Sequence, residues 1–303
     1  RSVTLTLQPN ALCARLFSEF RAGGHLNLTV EIDGRRYTRC YSPANAERST
    51  LIELTIGRHE GGRVSTFLRE RARPGMVVGI GAVGGSFELD RTARRILLVS
   101  GGSGITPVMS MLRTLRAEGL AGSGQEVAFV HYARTPADVC YAAELATMPG
   151  VRVLRGYTRS GAGELQGHVS AEHLGTAMAD PDAVYVCGPP ALAEAVLQVH
   201  PGAQSESFVP PVFAAPAESS GGRVEFADSA VSVVDDGRTL LEQAEAAGLR
   251  PESGCRMGIC HSCTRRKTSG AVKNLITGAV SAADSEDVQI CVSVPVGDVE
   301  LAL

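Results

Sequence analysis

The 303-residue sequence predicts a multidomain chain of mixed class: an antiparallel all-β barrel, then a parallel α/β domain, then a small strand-rich unit with one helix. Three observations predict it. Length is the first, because at ~150 residues per domain a chain of this size makes two domains, or three if one is small. The second is a change of rhythm near residue 91, from short alternating strands to apolar strands interleaved with helices. The third is a stretch over 209–222, with three prolines followed by Glu-Ser-Ser-Gly-Gly, that reads as a flexible join.

The elements follow in order. In 1–90, alternation at 4–7, 26–30 and 51–56, punctuated by Gly, Pro and Asn turns, marks the strands of a small barrel. The chain begins at Arg1 and runs almost at once into a strand, so the barrel's first strand is expected upstream. In 91–208, strands at 96–100, 126–132, 152–157 and 183–187 alternate with helices at 109–116, near 141–147 and at 191–199. That alternation argues for a parallel sheet with crossover connections. Beyond the join, 223–303 is strand-rich with one helix at 239–247.

Composition removes several function classes. With 29 basic and 32 acidic residues the formal charge is −3, too near neutral to favour a nucleic-acid or membrane partner. From Arg223 onward there are 8 basic and 12 acidic side chains, so the tail carries −4. The apolar runs, such as Ile96 to Val99, fall far short of the ~20 residues of a membrane span, and no secretory leader is expected. Of the eight cysteines, four crowd the last fifth of a chain long enough to build cores without staples. A metal centre in a reducing, cytoplasmic setting accounts for them better than disulfides.

The strongest chemical signal is Cys255, Cys260 and Cys263, with Cys291 further on. Four and then two residues between ligands is the plant-type spacing for a [2Fe–2S] cluster. Gly254 and Gly258 let the backbone approach such a cluster closely. A structural zinc site is the alternative, but zinc sites favour paired Cys-x2-Cys units and only one is present. His261 sits beside ligands that already number four, which makes it a loop residue. On these residues, with Thr239-Leu240-Leu241-Glu242 and the closing run after Cys291, 223–303 resembles plant-type ferredoxin domains. That resemblance implies a β-grasp fold. Arg256, Arg265, Arg266 and Lys267 surround the loop and are candidates for docking an acidic surface.

Two glycine turns carry the second signal. In Gly101-Gly102-Ser103-Gly104-Ile105-Thr106-Pro107 a buried strand turns into a helix opened by Thr-Pro, leaving N–H groups to receive a pyrophosphate. Cys187-Gly188-Pro189 ends another strand, and both turns are expected on one edge of the sheet, where open α/β sheets bind ligands. Both stretches resemble the NAD(P)-binding half of the ferredoxin–NADP reductase superfamily. The resemblance implies that Gly104 and Thr106 lie near the cofactor, that Cys187 borders the nicotinamide, and that Glu206-Ser207-Phe208 is the closing motif, with Phe208 over a flavin.

In the barrel, Arg39-Cys40-Tyr41-Ser42 resembles the superfamily's flavin signature, and Gly62-Arg63-Val64-Ser65-Thr66 its second phosphate loop. An arginine neutralises a diphosphate, an aromatic packs on the isoalloxazine, and a hydroxyl reaches its reactive nitrogen. Two stretches depart from the pattern: Gly23-Gly24 stands before His25 where Gly-Gln is usual, and Val83-Gly84-Gly85-Ser86-Phe87 replaces a Pro-x-Gly-x-Phe run. The resemblance favours FAD over FMN. Arg134 and Arg159, following two strands where an acidic residue would grip an unphosphorylated ribose, favour NADPH over NADH.

Together the resemblances imply an NAD(P)H-dependent iron–sulfur flavoprotein reductase, with Ser42, Cys187 and Glu206 beside the hydride transfer. Its [2Fe–2S] centre would pass electrons to a separate desaturase, oxygenase or cytochrome P450. The chain itself spans no membrane, and lies at a membrane surface only if its acceptor is a membrane enzyme. The rivals are a flavin or quinone reductase with an ancillary cluster, and a redox-sensing module that does not turn over.

Overall fold

The computed structural model describes residues 2–57, 59, 61–209 and 221–303, so all but the ends of the expected join at 209–222 lies outside the described residues. The chain separates into two compact units, one of residues 2–28 with 41–209 and one of 29–40 with the C-terminal segment. A hairpin from the N-terminal strands, 29–40, clusters with the C-terminal segment.

The N-terminal strands are β1 (Val3–Leu7), β2 (His25–Ile32), β3 (Arg35–Tyr41), β4 (Ile52–Ile56) and β5 (Gly79–Gly84), with α1 (Ala11–Phe17) and α2 (Arg63–Arg71) between them. β1 and β4 pair antiparallel, Val3 opposite Ile56, and the other three form a sheet in the order β3-β2-β5. Alternation holds in β2, where Leu26, Leu28, Val30 and Ile32 are all buried. Asp33 and Gly34 join β2 to β3 with φ of 53° and 72°, the left-handed pair that a two-residue hairpin requires. Neither helix was legible in the strand-like pattern. α1 buries only Phe17, and is set by Asn10, whose Oδ1 accepts from the Cys13 N–H at 2.9 Å.

The parallel sheet runs β6 (Arg95–Gly101), α3 (Ile105–Ala117), β7 (Glu126–Ala133), α4 (Ala142–Ala146), β8 (Val151–Tyr157), β9 (Leu165–Gln166), α5 (Ala171–Ala177), β10 (Ala183–Cys187), α6 (Pro190–Val199) and β11 (Gln204–Glu206). Its strand order is β11-β10-β6-β7-β8-β9, every pair parallel. The direction of winding changes between β10 and β6, which makes that edge the place where such sheets bind ligands. The central strands β6 and β10 and most of β7 are buried on both faces, and their sequences are correspondingly apolar. Ile96, Leu98 and Phe129 pack with Val108, Met109 and Leu112 of α3, while Leu97, Val99 and Val130 pack with Leu174 and Val196 on the other face.

The C-terminal segment is a mixed sheet of β12 (Arg223–Phe226), β13 (Val231–Val234), β14 (Thr264–Asn274), β15 (Val280–Ser281), β16 (Glu286–Gln289) and β17 (Ser293–Leu301), with α7 (Leu240–Ala246) across it. β12 and β17 are parallel and the other pairs antiparallel. The predicted helix is fixed by a capping box between Thr239 and Glu242. Leu240, Leu241 and Ala244 then pack with Val224, Phe226, Cys263 and Cys291. This is the β-grasp arrangement the resemblance implied.

Candidate functional site

Parallel pairing places Cys187 beside Ser100 on one side and beside Glu206 on the other. The two glycine turns thus share the carboxyl edge of the sheet and touch. A Cβ on Gly104 would stand 2.2 Å from the Cys187 carbonyl oxygen, and one on Gly188 would stand 3.0 Å from the Gly101 nitrogen. Only glycine allows the start of α3 to approach β10 this closely. Thr106 is buried and its hydroxyl donates to the Ser103 carbonyl at 3.3 Å, so it braces the turn from within. Pro189 caps α6, which starts one residue after it.

Burial sets the ionisation of this edge. Cys187 is fully buried and its thiol is pushed well above the ordinary range, first by desolvation and then by the neighbouring carboxylate of Glu206. Glu206 is itself pushed up to about 7 by burial. Its Oε1 lies 4.0 Å from His25 Nδ1, and its Oε2 has no hydrogen-bond partner among the described residues. His25 was read only as a barrel position, and nothing in its local sequence points to the end of β11. The two departures from the family pattern meet beside it: a Cβ on Gly23 would lie 2.1 Å from the Phe87 carbonyl oxygen, one on Gly24 2.9 Å from that of Gly84, and one on Gly85 3.1 Å from His25 Nδ1. Each glycine stretch makes room for the other.

The flavin-signature residues occupy the end of β3. Arg39 donates to its neighbour Thr38's carbonyl at 2.7 Å. Ser42, just past Tyr41, is 4 % exposed, and its Oγ has no hydrogen-bond partner among the described residues. A buried hydroxyl left unpaired is costly, and a ring nitrogen of a bound flavin would satisfy it. The second predicted loop is the start of a helix: Gly62 caps α2, Val64 and Ser65 are buried in its first turn, and Ser65 Oγ turns back to the Gly62 carbonyl at 3.1 Å. Helix starts present N–H groups to phosphate, but the Thr66 N–H is spent on Gly62 O at 3.0 Å. Gly61, Gly62, Arg63 and Thr66 line an open depression of about 390 Å³.

At the far side of the sheet the ends of β7 and β8 bring the two arginines together. The Arg159 N–H donates to the Arg134 carbonyl at 2.9 Å, and both residues are exposed at the carboxyl edge. Phe208, two residues beyond β11, is 38 % exposed and so is no core aromatic. Sequence reasoning also passed over His131. It is fully buried, its Nδ1 is 2.8 Å from Ser100 Oγ, and desolvation pushes it down to about 4.

In the C-terminal unit, Cys260, Cys263 and Cys291 are buried and Cys255 is half-buried. Backbone N–H groups already point at sulfur: Cys255 N to Cys260 Sγ at 3.2 Å, and Met257 N to Cys255 Sγ at 3.3 Å. A Cβ on Gly254 would lie 2.6 Å from Cys260 Sγ, so the loop is a cradle that a side chain would fill. Four thiols with N–H donors toward sulfur fit a [2Fe–2S] cluster. The hydrogen bond between Cys263 and Cys291 lowers the first thiol and raises the second. His261 is exposed and left-handed at φ 57°, facing Gln289, the loop residue expected.

Not every basic residue near the loop is a docking group. Lys267 is fully buried, its Nζ bonded to the Gly270 and Ala283 carbonyls and 3.3 Å from Glu286. Arg256 pairs with Glu245 at 2.5 Å, and Arg266 with Asp287 at 3.0 Å. Cys40, read as part of the flavin signature, instead sets its sulfur among those of Cys255 and Cys260, all three within 4.8 Å of one another.

Comparison with known proteins agrees with this arrangement. Residues 14–89 match the oxidoreductase FAD-binding domain, 98–198 the oxidoreductase NAD-binding domain, and 224–296 the 2Fe-2S iron-sulfur cluster binding domain. The chain is 35% identical over 297 residues to an NADPH oxidoreductase of Mycobacterium tuberculosis, covering 92% of this chain and 76% of that one. It is 32% identical over 322 residues to a glycine betaine monooxygenase reductase subunit of Pseudomonas aeruginosa, covering 92% and 86%. Among solved structures, phthalate dioxygenase reductase superposes with a TM-score of 0.64 at 25% identity, covering 100% of this chain and 93% of that one. No helix among the described residues is long and apolar enough to cross a membrane.

Proposed function

The chain belongs to the ferredoxin–NADP reductase family of flavoproteins that end in a plant-type [2Fe–2S] domain, and from that premise we propose that it is the NADPH-oxidising reductase component of a two-part oxygenase. It is an NAD(P)H-dependent oxidoreductase that uses FAD and a [2Fe–2S] cluster. The observation that carries the reading is the cysteine loop: a chain with both nucleotide-binding domains also holds a four-thiol cradle for a one-electron centre. Relatives named as monooxygenase and demethylase reductase subunits support an oxygenase as the acceptor.

When bound, the flavin would supply two-electron hydride chemistry and the cluster one-electron transfer. The chain's own residues do the rest. The glycine turns at 101–104 and 188–189 present backbone N–H groups to the dinucleotide, and their tight packing keeps side chains out of that edge. Ser42 Oγ would offer its hydrogen bond to the flavin ring, with Tyr41 beside it. Arg39 would meet the flavin's phosphates, as would the first turn of α2. Cys187 stays a neutral thiol at neutral pH and would border the nicotinamide. Glu206 keeps its proton up to about pH 7 at the same edge. Phe208 would cover the flavin and exclude water. Arg134 and Arg159 would grip a 2′-phosphate.

Anaerobic titration of the purified protein with NADPH and with NADH, followed by visible absorption and electron paramagnetic resonance, tests the reading. Bleaching of flavin and cluster bands at lower NADPH than NADH, with a rhombic signal from the reduced cluster, is expected. Colourless protein that holds zinc in place of iron would refute it.

A further inference from the structure

Cys40 follows Arg39 in the flavin signature, yet its sulfur is gathered with those of Cys255 and Cys260 within 4.8 Å, all three in the same structural unit. Spacing already supplies four iron ligands, Cys255, Cys260, Cys263 and Cys291, so a fifth sulfur at this place has no coordination to fill. It is half-buried, on the rigid strand β3 rather than on the ligand loop. The hairpin that carries it, 29–40, clusters with the C-terminal segment and is pinned across its two strands by the hydroxyls of Thr29 and Thr38, 2.8 Å apart. Position and rigidity are what an outer partner of a metal site needs.

We propose that Cys40 tunes the [2Fe–2S] centre by donating an S–H···S hydrogen bond to the iron-bound sulfur of Cys255 or Cys260. The inference rests on the cluster reading above and adds a function for a residue outside the ligand set. Adding an electron to the cluster raises negative charge on its sulfurs. A donor held against them therefore stabilises the reduced form more than the oxidised one, and raises the potential. The backbone donors of the loop and the Ser262 hydroxyl at Cys260 act in the same direction, and Cys40 adds to them from outside the loop.

The test is a redox titration of the holoprotein, the reduced cluster being counted by its electron paramagnetic resonance signal and iron measured on the same samples. Cys40→Ala is expected to keep its iron and to lower the equilibrium constant for one-electron reduction about tenfold, about 59 mV. An unchanged or higher potential overturns the proposal. Cys40→Ser decides the matter independently should the alanine protein lose its cluster: a hydroxyl is the stronger donor, so the potential is expected to rise, and an unchanged or lower value overturns the proposal. Native protein without iron would sink the cluster reading itself, an outcome distinct from an iron-loaded variant whose potential does not move.

Discussion

Glu206 should impose a pH dependence on the stability of the apoprotein whose sign is opposite to that of an ordinary salt-bridged carboxylate. Its folded pKa is about 7 against 4.5 for the free side chain, the shift coming from burial. A raised pKa means that the fold holds a proton that the unfolded chain has released. The contribution is full below the unfolded value and is lost as pH rises through the folded value. Each tenfold change in proton affinity is worth about 1.4 kcal/mol, so the Glu206 contribution to stability should fall by about 3 kcal/mol between pH 4.5 and 7 and then level off. The assay is urea unfolding of flavin-free protein at half-unit pH steps, read by hydrogen exchange on peptides from β6 and β10. Glu206→Gln, which is neutral throughout, should remove this contribution, so that the stability difference between the variant and the native chain grows by about 3 kcal/mol from pH 4.5 to 7 and leaves the variant the more stable at pH 8. A difference that stays constant across that range would refute the assignment of a protonated carboxyl to this edge.

Other perturbations separate the sites. Gly254→Ala places a Cβ 2.6 Å from Cys260 Sγ, so iron content and the cluster's visible absorption should fall severalfold while bound flavin is retained. Gly104→Ala drives a Cβ into the Cys187 carbonyl, and forcing the turn apart should cost about 2–3 kcal/mol and weaken NADPH binding at least tenfold, measured by calorimetry. Replacing Arg134 and Arg159 together by alanine should raise KM for NADPH by about tenfold to a hundredfold, with NADH unchanged; equal effects on both nucleotides would remove the 2′-phosphate role. His131 is depressed to about 4, so it contributes stability above its unfolded value of 6.5 that is lost as pH falls toward 4, and His131→Phe should remove that acid-side loss in the same unfolding assay.

What was readable in the sequence follows from where its constraints are local. The strands at 96–100, 126–132 and 183–187 were visible because both faces of each are buried, and the helix after residue 239 because Thr239 and Glu242 close a capping box three residues apart. The cysteine spacing was visible because one loop must wrap one cluster. α1 and α2 were missed because each is short and packs few residues, so neither shows a helical period against a background of strands. His25 against Glu206, 181 positions away in sequence, has no local signature at all. The basic loop residues show the opposite failure: charge alone marked Lys267 as a surface group, whereas three oxygen partners hold it inside the sheet.

The same contrast explains why the departures from family pattern do not weaken the flavin assignment. Taken separately, Gly23-Gly24 and the run 83–87 look like losses of a glutamine and a proline. In the fold they face each other, with the Phe87 and Gly84 carbonyls standing where any side chain on those glycines would be. At the altered position itself, a Cβ on Gly24 would stand 2.9 Å from the Gly84 oxygen. Their meeting point borders His25, which neighbours Glu206, so the altered backbone bears on the proton-holding carboxyl rather than on Arg39 or Ser42. Restoring the glutamine alone, as Gly24→Gln, should therefore destabilise the protein by about 1–3 kcal/mol and shift the pH profile of the Glu206 carboxyl, while the affinity for flavin stays within threefold. A large loss of flavin affinity with an unmoved pH profile would show that this contact belongs to the cofactor cradle instead.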